Sequence, residues 1–278
     1  MELIEKLRNK LDNLISSLKG KKVIVAFSGG IDSSLLAFLS NKHAKETLLI
    51  TERSVLHPDE EIEDAIKFAQ KFDISHKLIQ GTPLNNEKFT QNPQNRCYIC
   101  KKNIFSKLIA IKDEKDYDVI IDGSNYDDLN DYRPGLQALN ELNIISPYIK
   151  FQINKQEIRK ISQYFNLGIE SKPSNACFAS RIPYNQIITE QKLNMINEGE
   201  EFLKKTFGLT QVRVRLHDNM IARIELLKDD IPKLLIQGNL EMITKKFKEL
   251  RFYYITVDLE GFRSGSMNEN LILNKINE

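Results

Sequence analysis

The chain has 278 residues, 41% of them hydrophobic, with 40 basic against 38 acidic side chains and a formal charge of +2. That length suits two domains or one large one around a packed core, and so small a net charge gives no field that would hold a large nucleic acid, although local basic patches are not excluded. No apolar run approaches the length that spans a bilayer and no signal peptide is evident, so a cytoplasmic setting without a membrane partner is expected.

The opening stretch MELIEKLRNKLDNLISSLKG sets Leu3, Leu7, Leu11, Leu14 and Leu18 along one stripe and predicts an amphipathic helix. Val23 through Phe27 form a continuous apolar run, the pattern of a strand covered on both faces. Ser28, Gly29 and Gly30 then turn the chain. The glycines permit positive φ and bring N–H groups close to an anion, and Asp32, Ser33 and Ser34 are expected to cap a helix from about Ser33 to Leu39. Such a helix start is a ready phosphate site. The spacing is neither GxGxxG nor the Walker pattern, for no Lys follows the glycines, and an ordinary glycine turn is the competing reading.

Strand-like and helix-like segments alternate onward: a strand at Thr47–Thr51, a helix at Pro58–Phe72 with Ile62, Ala65, Ile66 and Ala69 on one face, strands at Ile74–Ile79 and Tyr117–Ile121, and a candidate fifth at Ile144–Pro147. This alternation predicts an α/β, doubly wound parallel sheet. The excursion Gln80–Asp116 places Cys97 and Cys100 at a helix start, with Arg96, Lys101 and Lys102 nearby to stabilise thiolates. Asp122, Gly123, Ser124, Asn125, Asp127 and Asp128 follow the fourth strand, where such a sheet meets its ligand. They can bind a metal or polarise a phosphate, or simply cap the next helix. Arg133, before a proline, begins a turn or helix and reads either as a surface charge or as an ATP contact.

Ser171–Asn185, rich in Ser, Asn and Pro, is a candidate active-site loop and divides residues 1–170 from a smaller α/β domain, residues 171–278. There Thr189–Phe207 reads as a helix, and Gln211–His217, Met220–Leu227 and Phe252–Leu259 read as strands. Arg213 and Arg215 alternate on the first of these and point to one face, as a phosphate clamp requires. Glu200, Glu201 and Glu225 are weaker candidates, since charges on helices and strands are usually solvated.

Three cysteines are an odd number for a disulfide framework. Cys97 and Cys100 are close enough to ligate one metal, with Cys177 far off in the loop. A zinc site would have to recruit His43, His57, His76 or His217, none at ligand spacing to a cysteine. A 4Fe-4S cluster on three thiolates leaves one iron open to sulfide or substrate, and three buried thiols are the plain alternative.

SGGIDSS resembles the PP-loop of the ATP pyrophosphatases, and with RCYICKKNIF, DGSNYDDLNDYRPGLQALNEL, PSNACFASRIPY, VRVRLHDNMIARIE and DLEGFRSGSMNE, in this order, the chain resembles the LarE family of ATP-dependent sulfur transferases over nearly its whole length. The resemblance implies an adenine nucleotide alpha hydrolase-like first domain. It also implies adenylylation of a carboxylate on pyridinium-3,5-biscarboxylic acid mononucleotide and displacement of AMP by sulfur, on the route to a nickel-pincer nucleotide cofactor. By the same resemblance, Ser28, Gly29, Gly30, Asp32 and Ser33 would bind the ATP pyrophosphate, Asp32 would help hold magnesium, and Ser180 and Arg181 would face the nucleotide substrate. Some members sacrifice one loop cysteine, here Cys177; others hold a 4Fe-4S cluster on three cysteines and use external sulfide. Cys97 and Cys100 beside Cys177 point to the second type, and the family's hexamer implies a homo-oligomer. A tRNA thiolase, an amide ligase such as an NAD synthetase, and a non-enzymatic ATP sensor are the rivals.

Overall fold

The computed structural model describes residues 2–130, 133–170, 176–263 and 265–268, without the side chains of residues 2–4 and 268. Among the expectations above, the side chain of Leu3, the first five residues of the loop at 171–185, and parts of the DYRPG and C-terminal blocks lie outside the described residues. The chain divides into two units, Met1–Pro83 with Gln94–Ser174, and Leu84–Pro93 with Asn175–Glu278.

The first unit begins with helix α1 (Glu2–Leu18), whose stripe is buried at Leu14 and Leu18 and half-buried at Leu7 and Leu11. Strand β1 (Lys22–Ala26) leads into α2 (Ile31–His43), β2 (Glu46–Arg53), α3 (Asp59–Lys71) and β3 (Ser75–Gln80). On α3 the buried residues are Ile62, Ala65, Phe68 and Ala69, with Ile66 at the half-buried margin. After the short α4 (Glu87–Thr90), which belongs to the second unit, come α5 (Arg96–Glu114), β4 (Val119–Ile121), α6 (Pro134–Glu141), α7 (Pro147–Lys150) and α8 (Lys155–Tyr164).

The strands stand in the order β3-β2-β1-β4, all parallel, with Ile24 opposite Leu48 on one side and Ile120 on the other. Side chains alternate across the sheet, so Val23, Val25 and Leu49 join a core with residues of α1, α2, α3 and α8. Ile24, Leu48, Ile50 and Ile120 join a separate core with residues of α5 and α6. Burial on both faces explains the unbroken apolar run at β1. The candidate fifth strand at Ile144–Pro147 is reduced to a single parallel bridge, Ile121 to Ile145. Pro147 lacks an N–H for a ladder and sits at the first position of α7 instead.

In the second unit, α9 (Glu190–Phe207) precedes β5 (Val212–His217) and β6 (Ile221–Leu226), followed by α10 (Ile231–Leu234), α11 (Gln237–Glu249) and β7 (Tyr254–Val257). The sheet order is β5-β6-β7, antiparallel then parallel. Gly199 of α9 lets the helix close on this sheet: a Cβ there would lie 3.3 Å from Phe247 and 3.5 Å from Val214. The segment Leu84–Pro93 joins this unit through its backbone, with Ile188 N–H donating to Thr90 O at 2.8 Å and Asn185 N–H to Asn92 O at 2.9 Å.

Leu14 is 0% exposed within the first core. Leu14→Ala should therefore cost about 2–5 kcal/mol, read as a lowered urea midpoint; an unchanged midpoint would show that α1 adds nothing to this core.

Candidate active site

In the first unit the site grows from the end of β1. Phe27 N–H donates to Ile50 O at 2.8 Å, holding the last residue of the run against β2. Gly29 then takes φ +71°, which an L side chain rarely adopts, and a Cβ there would press to 3.1 Å from Ala65 Cβ. Gly30 is the N-cap of α2, and it has no capping side chain. The expectation that Asp32, Ser33 and Ser34 cap this helix is therefore corrected: all three lie inside its first turn. Their place is taken by internal bonds, with Ser33 Oγ donating to Gly30 O at 3.1 Å, accepting from Ser28 N–H at 3.3 Å and meeting Ser28 Oγ at 3.1 Å. Ser28 and Ser33 thus shape the loop from within. The first-turn amides of α2, which have no partner inside a helix, are left without a capping side chain.

Asp32 carries the charge of this loop. Its carbonyl accepts from the buried Tyr148 hydroxyl at 3.0 Å, and its Oδ2 is paired with Lys155 Nζ. Its Oδ1 is buried with no hydrogen-bond partner among the described residues. A buried carboxylate oxygen left open beside an uncapped helix start suits a hard divalent cation that completes its shell with phosphate oxygens and water. Among the described residues no three His, Cys, Asp or Glu side chains gather to hold a metal, so such a cation would draw the rest of its shell from phosphate and water.

The loop after β4 packs against the same turn. A Cβ at Gly123 would lie 3.0 Å from Ser33 N and 3.2 Å from Asp32 Cβ, so any other residue would push this turn back by a few tenths of an ångström. Asp122 is buried and accepts from Ser124 Oγ at 2.6 Å, from Ser146 Oγ, and from Lys101 Nζ at 3.3 Å. Asp127 Oδ2 accepts the N–H of Lys155 at 2.9 Å, and Asp128 accepts from Asn125 N–H at 2.9 Å and pairs with Arg133 at 2.9 Å. Of the two readings of these acids, local capping and pairing is the one this geometry displays.

Cys97 and Cys100 lie in the first two turns of α5, one exposed and one half-buried. Both neighbouring lysines have carboxylate partners. Lys101 is paired with Asp122, and Lys102 with Glu141 at 2.9 Å and the Tyr98 hydroxyl at 2.7 Å; carboxylates of other segments compete successfully for both.

The second unit holds a buried network of opposite charges. Arg181 and Glu200, exposed by only 2% and 3% at their side chains, form a two-pronged pair at 2.8 and 3.0 Å. Glu200 Oε1 also accepts Val214 N–H at 3.0 Å. The remaining Arg181 nitrogen donates to the carbonyls of Ala176 and Cys177, the latter at 3.0 Å, and to Ser180 Oγ at 3.1 Å. Arg181 therefore anchors the turn that Cys177 opens. On β5, Arg215 binds Glu225 Oε2 at 3.0 and 2.8 Å and Ser180 O at 3.1 Å, while Ser266 Oγ and Arg223 take Glu225 Oε1 at 2.6 and 3.1 Å. Arg213 is buried with its guanidinium 5.5 Å from the Phe262 ring centre. The view of Glu200 and Glu225 as solvated is corrected, because strand register sets Glu225 opposite Arg213 and the guanidiniums repay its desolvation; Glu201 is the solvated one.

Burial alone would raise the Glu200 pKa, but the charge and hydrogen bonds of Arg181, the charge of Arg213 and the Val214 N–H together hold it below the ordinary value. His217 is shifted down, by burial first and then by Arg223, whose Nε donates to its Nε2 at 3.0 Å. Three arginines at 5% exposure or less, Arg181, Arg213 and Arg215, face two equally buried glutamates, Glu200 and Glu225. The cluster carries a surplus positive charge.

Lys155, Tyr148 and Ser266 are site residues that sequence reasoning did not single out. A signal existed for Lys155, as a lysine at the first position of a helix, where a cation opposes the dipole.

A sequence model of the NAD synthase family matches residues 3–111. Over 267 residues the chain is 39% identical to an uncharacterized protein of Synechocystis sp., covering 95% of this chain and 99% of that one. It is 38% identical over 264 residues to an uncharacterized protein of Methanocaldococcus jannaschii, covering 95% and 100%. It is also 33% identical over 275 residues to the pyridinium-3,5-bisthiocarboxylic acid mononucleotide synthase of Lactiplantibacillus plantarum, covering 95% and 96%.

Removing one member of the Arg181–Glu200 pair strands a buried charge. Arg181→Ala and Glu200→Ala should each lower unfolding free energy by about 3–5 kcal/mol, and Arg181→Met with Glu200→Leu by far less than the sum. Because the folded pKa of Glu200 is depressed, its contribution is full above the unfolded glutamate range and lost as pH falls through the folded value. Urea titrations across acid pH check both; additive single losses would refute the coupling.

Proposed function

The chain belongs to the LarE family, that of the pyridinium-3,5-bisthiocarboxylic acid mononucleotide synthase, and we propose that it is an ATP-dependent sulfur transferase acting on a pyridinium biscarboxylic acid mononucleotide. The observation that carries the first half of the reaction is the uncapped start of α2 beside the open Oδ1 of Asp32, at the carboxyl end of β1. The substrate carboxylate attacks the α-phosphorus of ATP and pyrophosphate leaves, giving an acyl adenylate. A sulfur nucleophile then attacks the acyl carbon, and AMP departs with the bonding pair of the C–O bond, leaving a thiocarboxylate. A free carboxylate oxygen is too poor a leaving group for direct exchange.

On this reading, the amides of the Ser28–Ser33 loop hold the pyrophosphate, and magnesium, bound through Asp32 and the phosphates, supplies Lewis-acid charge stabilisation. Gly123 keeps the opposing loop close enough to share the nucleotide, with Asp127 and Arg133 at its margin. The surplus positive charge of Arg181, Arg213 and Arg215 supports a phosphate-bearing acceptor in the second unit, with Ser180 beside it and Glu200 and Glu225 fixing the guanidiniums.

The sulfur route belongs to the same proposal. Cys97, Cys100 and Cys177 match in number and thiolate chemistry the three protein ligands of a 4Fe-4S cluster with an open iron, fed by external sulfide. No grouping of three His, Cys, Asp or Glu side chains that could hold a metal is present among the described residues. A homo-oligomeric assembly is carried with this proposal on the family resemblance.

The decisive experiment supplies ATP, Mg2+, sulfide and pyridinium-3,5-biscarboxylic acid mononucleotide to the anaerobically purified protein. AMP and pyrophosphate should form in equal amounts, with an oxygen-for-sulfur mass change in the acceptor. Asp32→Asn should reduce AMP formation by about two orders of magnitude while leaving the urea midpoint in place, the scale of losing one transition-state charge contact. Near-normal AMP formation by this variant would remove Asp32 from the reaction.

If the three thiols act jointly, Cys97→Ala, Cys100→Ala and Cys177→Ala each abolish sulfur transfer and the iron–sulfur absorbance while AMP formation persists. Loss of transfer in Cys177→Ala alone, with turnover leaving dehydroalanine at that residue, would establish the sacrificial route instead.

A further inference from the structure

Phe27, the residue between β1 and the glycine loop, is held more fully than a strand end requires. Its N–H donates to Ile50 O at 2.8 Å, and its carbonyl accepts the hydroxyl of the buried Thr51 at 2.7 Å. The N–H of the next residue, Ser28, donates to Ser33 Oγ at 3.3 Å. The planar peptide from Phe27 to Ser28 is therefore fixed on both sides. Its N–H side faces the first turn of α2, and a half-turn of the plane would bring the carbonyl oxygen there, where its partial negative charge opposes an anion.

The Thr51 hydroxyl is itself directed. It has one proton, and Phe27 O can only accept, so that proton lies on the Phe27 side. His76 Nε2, 2.8 Å from the same Thr51 oxygen, must then be the donor to it. Burial shifts the His76 pKa down and favours the neutral ring, with its hydrogen on Nε2. The ring also meets Phe27 edge-on, with centroids 5.8 Å apart and planes at 81°. His76, Thr51 and Phe27 belong to β3, to β2 and to the end of β1, which are neighbours in the sheet. The donor chain thus runs one way, from the sheet edge to the loop, and its bonds polarise one another. Its outer end is open, since half-buried His76 lines a cavity of about 440 Å³ with Ile66, Ile74 and Leu78.

We propose that His76 and Thr51 are positioning residues for the ATP site: their donor chain keeps the Phe27–Ser28 peptide with its N–H, and not its carbonyl, toward the pyrophosphate. The inference rests on the ATP-binding reading of the loop given above. Neither side chain needs to touch the nucleotide, because the peptide between them and the anion carries the effect.

Calorimetric titration of the full chain with ATP and Mg2+ tests this. Thr51→Val removes the hydroxyl at nearly constant shape and should weaken ATP binding about tenfold, while Thr51→Ser, which keeps the donor, should stay within about twofold of wild type. His76→Ala should show a loss similar to that of Thr51→Val. Imidazole at mildly alkaline pH, entering through the cavity, should restore ATP binding to His76→Ala, and 1-methylimidazole, whose neutral ring has no N–H to donate, should not. Both molecules refill the same space, so a purely structural role would not separate them. ATP affinity unchanged in Thr51→Val and His76→Ala, or restored equally by the two imidazoles, would overturn the proposal while leaving the loop reading intact. A wild-type protein that does not bind ATP, with or without Mg2+, would overturn both.

Discussion

The first unit is organised by the pairing of β1 on both edges, with Val25 opposite Leu49 of β2 and Ile121 of β4. From that central strand the chain runs outward to β2 and β3, and only later returns to the other side at β4. The connections leaving β1 and β4 therefore part in opposite directions, and the crevice between them lies at the carboxyl ends of the strands. The glycines mark how closely this crevice is built. Gly29 carries the turn at positive φ, and Gly123 sets the second loop against the backbone of Ser33 so closely that a Cβ would crowd it at 3.0 Å. Backbone approach, fixed by sheet order, thus precedes the placement of Asp32 and Lys155.

The second unit meets a different constraint, the burial of charge. Glu225 is wholly buried, and Arg215, Arg223 and Ser266 between them occupy both of its oxygens. Glu200 is satisfied by Arg181 and by the Val214 N–H. Two of these guanidiniums also reach a backbone carbonyl near Cys177: Arg181 to Cys177 O, and Arg215 to Ser180 O. A buried ion pair is weak evidence for stability, since apolar replacements of similar size often do as well. Its merit here is geometric, because planar five-donor groups can tie a turn, a helix and a strand together at once.

The strands of the first unit were legible from sequence to within one or two residues; in β1, β2 and β4 burial leaves an apolar run that local composition reports directly, whereas the edge strand β3 is largely unburied and was read from the alternation of elements. The helix after the glycine loop was legible too, but its capping was not: Asp32, Ser33 and Ser34 have cap-forming side chains, yet the turn begins earlier, at Gly30. The Ile144–Pro147 segment has strand composition, and the missing N–H of Pro147 together with its place at the start of α7 limits it to one bridge. Glu200 and Glu225 read as surface charges because Arg215, Arg213 and Arg181 lie 10 to 19 residues away from them in sequence, and no local periodicity records such pairing. The attachment of Leu84–Pro93 to the second unit was illegible for the same reason; it depends on bonds from Asn92 to Pro183 and Asn185 some ninety positions on.

Net charge illustrates how far an average can mislead. A formal value of +2 excludes a strong field over the whole surface, and it describes neither site. In the first unit Lys155 pairs with Asp32 in the first turn of α2, while in the second three buried arginines face two buried glutamates. The second site is thus positive by a margin of about one charge in a region where water screens poorly, and there a single charge weighs far more than it does at the surface. An enzyme that must hold the phosphates of two nucleotides needs that surplus at the sites and not over the whole molecule. The compensating acids lie elsewhere, many of them solvated, where they keep the chain as a whole close to neutral.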